Sequence, residues 1–237
     1  MLLTRQGKSA TMEKRTDGSM KKFLEGTYFF YQADNYDGGS AGYTFAPIDG
    51  GTAYAVTGFT SQESDIVIPD SYNGLPIKQI SSNAFADKEH LTSVIMRDSI
   101  TLLATSAFFR CRNLRAVYFS EGIERFCDGV FEGCTALTSV KLPPRIIDMT
   151  GYAFYRCSSL RRVIIPKSIR LIGYKSFEGC DSLREVFYEG SKEDWGWVRV
   201  QPNDALMRAK LYYYSEREPL EKGEYWHYAM NGEPIIW

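Results

Sequence analysis

A phenylalanine returns every 23 residues, at Phe85, Phe108, Phe131, Phe154 and Phe177, and this period constrains the fold of the 237-residue chain more than any other feature. Other residues keep the same spacing. Cysteine stands three places after four of these rings (Cys111, Cys134, Cys157, Cys180), with Lys88 in that slot of the first unit. Leucine follows at Leu91, Leu114, Leu137, Leu160 and Leu183, and valine at Val94, Val117, Val140, Val163 and Val186. Isoleucine recurs at Ile100, Ile123, Ile146 and Ile169, and a large apolar residue at Ile80, Leu103, Phe126, Met149 and Ile172. A period in the range of about 20–50 residues is the mark of a stacked repeat array.

One such unit cannot fold alone. Its few core positions contribute about 1–3 kcal/mol each on burial, while ordering the backbone costs about 1–2 kcal/mol for every residue of the unit. Stacking resolves this, because neighbouring coils share ladder hydrogen bonds and one continuous core. Within a unit, Leu137-Thr138-Ser139-Val140-Lys141-Leu142 ends in strand alternation. Equivalent strands one coil apart pair in parallel at about 4.8 Å. Pro69, Pro143 and Pro166 close several strands. The pattern predicts a tight helical turn for the Ala-Phe-x-x-Cys-x-x-Leu segment that feeds the next strand. The expected fold is a solenoid, mainly β with short helical turns, with a parallel sheet on one face and a cap at each end.

These residues resemble a known group, the BspA-like leucine-rich-repeat family of bacteria and some protists. The resemblance rests on units such as Gly151-Tyr152-Ala153-Phe154-Tyr155-Arg156-Cys157 through Leu160, Val163, Pro166 and Ile169, and on the opening Asp65-Ile66-Val67-Ile68-Pro69. It also takes in the closing Tyr212-Tyr213-Tyr214-Ser215-Glu216 and Tyr225-Trp226-His227-Tyr228, and it covers about residues 43–237. It implies an architecture and a binding role, adhesin-like in some surface members. The family offers no shared catalytic residue to carry over.

Outside the repeats, residues 1–26 mix Lys, Arg, Ser, Thr and Gly without apolar periodicity and are expected to be a flexible tail. Residues 27–61 hold the strand-like runs Thr27 to Tyr31, Tyr43 to Ile48 and Thr52 to Phe59, split by Asp37-Gly38-Gly39 and Asp49-Gly50-Gly51. They predict a β-hairpin N-terminal cap. Repeats fill 62–190. Residues 191–237 predict a C-terminal cap, with a helix start at Ser191-Lys192-Glu193-Asp194, a second short helix from Asn203 to Ala209, and Trp195, Trp197, Trp226 and Trp237 as cover for the last coil.

The formal net charge of −1, from 28 basic and 29 acidic residues, gives no global attraction to nucleic acid or an anionic membrane. No apolar run approaches the roughly 20 residues a spanning helix needs. The chain as written shows no signal peptide, which points to the cytoplasm, although relatives resembling it are often secreted or surface-attached.

No residue pattern singles out a catalytic centre or a cofactor. A column of thiols forms a line and not the tetrahedron that zinc requires, so the four repeat cysteines read as buried free thiols. Cys127 lies off that ladder. Gly38-Gly39-Ser40-Ala41-Gly42 spells a nucleophile-elbow string, but in a glycine-rich turn without hydrolase topology. His90 occupies a turn slot held elsewhere by Asn113, Ala136, Ser159 and Ser182, so it reads as exposed, and His227 lies among cap aromatics.

The sharpest candidate is the outward face of the repeat strands. Ile95, Tyr118, Lys141, Ile164 and Phe187 point outward in successive strands, beside Arg115, Arg161, Arg162 and Arg184. Apolar and aromatic side chains flanked by arginine resemble the centre of a protein interface. The same residues also fit ordinary strand formers with solvated charges, some of them covered by a cap. The expected function is a non-enzymatic protein-interaction module with Arg115, Tyr118, Lys141, Arg161, Arg162, Ile164, Arg184 and Phe187 meeting the partner. A self-assembling scaffold and a carbohydrate-binding module stand as alternatives.

Overall fold

In the computed structural model, residues 41–220 and 223–237 are described. The expected tail, the Thr27 to Tyr31 run, Asp37 and the Gly38-Gly39-Ser40 string lie outside them. The described chain begins with β1 (Tyr43–Ile48) and β2 (Ala53–Phe59), an antiparallel hairpin turned by a short 3-10 element at Asp49–Gly51. Next come β3 (Asp65–Ile68), β4 (Ser71–Tyr72), β5 (Leu75–Ile80), β6 (Ser93–Met96), β7 (Leu102–Leu103) and β8 (Ala116–Tyr118). The repeats continue through β9 (Arg125–Phe126), β10 (Ser139–Lys141), β11 (Asp148–Met149), β12 (Arg162–Ile165), β13 (Leu171–Ile172) and β14 (Glu185–Tyr188). The chain then passes through α1 (Lys192–Trp195), β15 (Arg199–Val200), α2 (Asp204–Arg208), β16 (Lys210–Tyr214), β17 (Tyr225–Tyr228) and β18 (Pro234–Ile236).

Each coil gives one strand to each of two walls. Along one wall β2, β5, β7, β9, β11, β13 and β15 pair in parallel, with β1 antiparallel at the edge. Along the other, β3, β6 and β8 form one parallel ladder and β10, β12, β14, β16 and β17 another, ending in antiparallel β18. β8 and β10 are neighbours that form no ladder. At that step the ring of Phe119 packs on Phe126 and on Phe131 of the following coil, at 5.2 and 5.6 Å.

Between the walls runs the file of phenylalanines. Phe85, Phe108, Phe131, Phe154 and Phe177 are fully buried and stack in order, with centroids 4.8, 5.2, 5.4 and 5.5 Å apart and planes within 10° of parallel. At the N-terminal end Phe59 continues the file in a tilted pose 5.5 Å from Phe85, and Tyr43 covers Phe59 at 4.9 Å. The hairpin β1–β2 thus lays an aromatic lid on the first coil.

The first four phenylalanines are also tied to the following coil through their backbone. The amides of Phe85, Phe108, Phe131 and Phe154 donate to Ala107, Val130, Ala153 and Ser176, each at 2.8 Å. The carbonyls of Phe85, Phe108, Phe131 and Phe154 accept the thiol hydrogens of Cys111, Cys134, Cys157 and Cys180 at 3.0, 3.2, 3.1 and 3.1 Å. This explains the one departure from the cysteine pattern. The unit with Lys88 is the first of the file, and 23 residues before Phe85 stands Gln62, so no phenylalanine carbonyl awaits a donor.

The segment around each phenylalanine is tight, but it is a run of turns and not a helix. The residue two places before the ring is left-handed in each unit (Asn83, Ser106, Gly129, Tyr152, Lys175), and so is the residue two places after (Asp87, Arg110, Gly133, Arg156, Gly179). Alternating handedness turns every second amide along the stacking axis, which makes the turns a third hydrogen-bonded ladder and rules out helical i→i−4 bonding. Gly179 shows a second constraint. At φ +75° a Cβ there would stand 3.1 Å from Arg156 Cγ of the previous coil.

At the C-terminal end Asn203 stands in for the missing next unit. Its side-chain oxygen accepts the Phe177 amide at 2.9 Å, while its side-chain nitrogen donates to Gly173 and Gln201 at 2.8 and 2.7 Å. Asn203 also begins α2, and Ser191 opens α1 with a reciprocal capping box to Asp194. Trp195 packs against Tyr188 at 4.9 Å and Trp226 is fully buried, whereas Trp197 is 82% exposed and covers nothing.

Replacing Phe131 by alanine opens a cavity in the middle of the file and should lower unfolding stability by about 3–5 kcal/mol. Urea denaturation of the two chains measures this, and a loss below about 1 kcal/mol would show that the stack carries little of the stability.

Candidate functional site

The outward face of the β3-to-β16 wall carries a row formed by Val67, Ile95, Tyr118, Lys141, Ile164, Phe187 and Tyr212, aligned by strand register within each ladder. A second row, shifted along the strands, runs Asp65, Ser93, Ala116, Ser139, Arg162, Glu185 and Lys210. A third places Thr92, Arg115, Thr138, Arg161 and Arg184 at the strand entrances, where amides of one coil donate to carbonyls of the coil before. The expected residues therefore do share one face.

They differ sharply in access. Arg115, Arg161 and Arg184 are exposed, and Tyr118, Lys141 and Arg162 are half-buried. Ile164 and Phe187 are 3% and 1% exposed, which corrects the expectation that they present apolar area to a partner. The cover is the chain's own C-terminal hairpin, β17–β18. Trp226 packs edge-on against Phe187 at 5.3 Å and donates its indole N–H to the Tyr188 carbonyl at 2.9 Å. Ile164, Phe187, Tyr212 and Trp226 form an apolar cluster of their own, separate from the main core, with Tyr214 and Tyr228 against it.

Polar contacts ring this cluster. Tyr228 donates its hydroxyl to Glu189, and Lys141 places its ammonium 4.5 Å from the Tyr228 ring centre, 2.8 Å from its hydroxyl and 3.3 Å from Glu189. The Arg162 guanidinium pairs with Glu185 at 2.9 Å and with Glu233 at 3.5 Å, and lies 5.3 Å from the Phe187 ring centre. Sequence reasoning missed Trp226, Tyr228, Glu189 and Glu233 as occupants of this face. Their aromatic density was legible, but it read as cover for the end of the stack and not for its side.

The N-terminal end of the face holds a pre-ordered polar network. Asp65 accepts from Thr92 at 2.7 Å, Ser93 at 2.6 Å and Ser64 at 3.0 Å. Partial burial works against its ionisation, but these three donors together hold its carboxyl below the ordinary value.

The cysteines are poorly suited to nucleophilic chemistry. Burial pushes the thiols of Cys134 and Cys157 well above their ordinary range and that of Cys180 up to about 12, so they stay protonated. Partial burial also raises Cys127, against a lowering by Arg125 and together with a raising by Asp128. His90 is half-buried under Phe59, ring centres 6.3 Å apart, which corrects its expected exposure. His227 stacks on Trp237 at 3.9 Å. Among the described residues no three His, Cys, Asp or Glu side chains converge as a metal site, and no helix is long and apolar enough to cross a membrane.

A mainly β solenoid of such coils, with a file of stacked rings inside and an arginine-lined sheet outside, defines a repeat protein. Residues 63–196 match the BspA type leucine rich repeat region in 6 copies, and the chain belongs to that family. Solved structures share the fold. A leucine rich repeat protein of T. pallidum superposes with a TM-score of 0.61 at 23% identity, over 62% of this chain and 69% of that one. A leucine rich cell surface protein of Faecalibacterium prausnitzii gives a TM-score of 0.61 at 29% identity, over 68% of this chain and 41% of that one. The pneumococcal vaccine antigen PcpA gives 0.54 at 18% identity, over 73% and 43%. This chain thus spans less than half the length of the latter two. No curated protein matches.

A thiol reagent added to the native protein should modify Cys127 first, with Cys111, Cys134, Cys157 and Cys180 reacting only after denaturant is added. Mass-spectrometric mapping of the adducts checks this. Early labelling of the file cysteines would mean that the coils open readily.

Proposed function

We propose that the chain is a non-enzymatic protein-interaction module that docks an acidic partner along the outward face of the β3-to-β16 wall. The observation that carries this reading is the run of exposed cations. Arg161 and Arg184 stand at the entrances of successive coils, the Arg184 amide bonded to the Arg161 carbonyl, with Arg115 two coils earlier in the same row and Lys210 following, its amide bonded to the Arg184 carbonyl. Like charges on strands about 4.8 Å apart repel one another. Carboxylates of a partner relieve that repulsion, and guanidinium groups bind carboxylates in a planar, two-pronged geometry. On the coil of Arg115 and the one before it, half-buried Tyr118 and Ile95 supply apolar area, with Lys141 and Arg162 at the border of the covered half.

The F. prausnitzii neighbour is described as a cell surface protein, which supports an adhesin-like setting for this chain as part of the same proposal. A carbohydrate reading gains little from the face, because Phe187, Tyr212 and Trp226 are buried and Trp226 stands 66° from the plane of Phe187 instead of forming an open platform with it. Self-assembly is the second reading. It is favoured by the end of the other wall, where β15 is the edge strand and Trp197 and Met207 are 82% and 73% exposed.

A partner recovered from extracts of the native organism should lose at least about tenfold in affinity, or roughly 1.4 kcal/mol, for the Arg161→Glu/Arg184→Glu chain, with a smaller loss for Tyr118→Ala. Titration calorimetry measures it. Unchanged affinity in both variants would remove the partner from this face, and a molecular mass that climbs with concentration in sedimentation would favour self-assembly instead.

A further inference from the structure

We infer that the outward face of β10, β12, β14 and β16 is a strand-recognition groove, that its ligand is an extended protein segment bearing two aromatic side chains and a carboxylate, and that the β17–β18 hairpin is its built-in competitor. This rests on the reading of the wall as a docking surface and adds the ligand's chemistry.

The hairpin shows what the groove accepts. Trp226 and Tyr228, two residues apart on one face of β17, take up Phe187 and the Lys141–Glu189 pair, while Glu233 reaches Arg162. Residues two apart on a strand share a face, so an extended segment is the backbone that presents this pattern. Recognition by strand addition with side-chain pockets is a common mode of peptide binding.

The hairpin pairs with the wall over a short stretch, while Tyr225 packs on the main core and Trp226 is fully buried. Only Tyr213–Tyr225 and Tyr214–Trp226 register it on β16. Its apolar cluster lies apart from the main core. Its outer side leaves Met230 fully exposed, with Ile235 and Ile236 at 46% and 38%. Half-exposed ion pairs such as Arg162–Glu233 add little to stability. Elements with small buried contact areas open at low free energy. Opening would bare Ile164, Phe187 and Tyr212, a stripe on adjacent strands flanked by Arg162 and Lys141. A ligand with the same chemistry then competes with a tethered segment, and its apparent affinity falls by the fraction of chains that are closed.

The test uses the full chain, its Glu233→Lys variant, and a fluorescein-labelled synthetic peptide of residues 223–237 supplied in trans. Glu233 is a surface residue outside the apolar cluster, so the repeats stay folded in the variant. Fluorescence anisotropy should show the peptide binding the variant about threefold more tightly than the unaltered chain, with a scrambled peptide binding neither. Hydrogen–deuterium exchange over 225–236 should accelerate in the variant while β12 and β14 are unchanged. Equal affinity for the two chains, binding to neither, or equal binding of the scrambled peptide overturns the inference. Those results would leave untouched the response of an external partner to Arg161→Glu/Arg184→Glu, which lies in a different row. Failure of that response would instead move the partner off the face altogether.

Discussion

Each phenylalanine of the file except the last, Phe177, is joined to the following coil three times over. Its ring stacks on the next ring, its amide donates to the next turn, and its carbonyl accepts the next cysteine thiol. None of these bonds can be made within a coil. A unit that cannot offset its own chain entropy becomes stable only as a member of the stack. The left-handed residues on either side of each ring follow from the same requirement, since they turn the amides along the axis.

A stack built this way must be finished at both ends, and the two ends use different devices. Phe59 and Tyr43 of the N-terminal hairpin extend the aromatic file and close it. At the other end Asn203 satisfies the last phenylalanine amide with its side chain. The sheet wall itself continues past the last repeat, because β16 pairs in parallel with β14 and extends the same rows. That continuation lets the final hairpin fold back over the side of the solenoid. The outward face is therefore divided into an N-terminal half, where Ile95 and Tyr118 stay half-buried among polar side chains, and a C-terminal half whose Ile164 and Phe187 are covered by the chain's own aromatics. A binding role and a self-contact use the same rigid lattice of side chains.

The file, the parallel strands of one wall and the outward row were legible in the sequence, because each depends only on the 23-residue period, whereas the second wall from β5 to β15 was not anticipated. The start of α1 at the Ser191–Asp194 box was legible from local capping chemistry. The turns around each ring were not. Tyr152, Arg156 and Lys175 are poor choices for left-handed backbone, and only the ladder between coils holds them there. The burial of Ile164 and Phe187 was hidden for a different reason. It depends on a contact between residues far apart in the chain, Phe187 with Trp226 and Lys141 with Tyr228, which no periodicity encodes. Lys88 shows the reverse case. Its departure from the cysteine pattern has no reason within the sequence and becomes a rule once the thiol is seen to serve the coil before it.

The most direct measurement is amide hydrogen exchange by nuclear magnetic resonance at Phe108, Phe131 and Phe154, compared with the free energy of global unfolding. If the shared spine makes the coils interdependent, all three amides should exchange only through complete unfolding, with one common free energy. Fast exchange at these positions, or three unrelated opening energies well below the global value, would mean that each coil holds its own structure and would contradict the account.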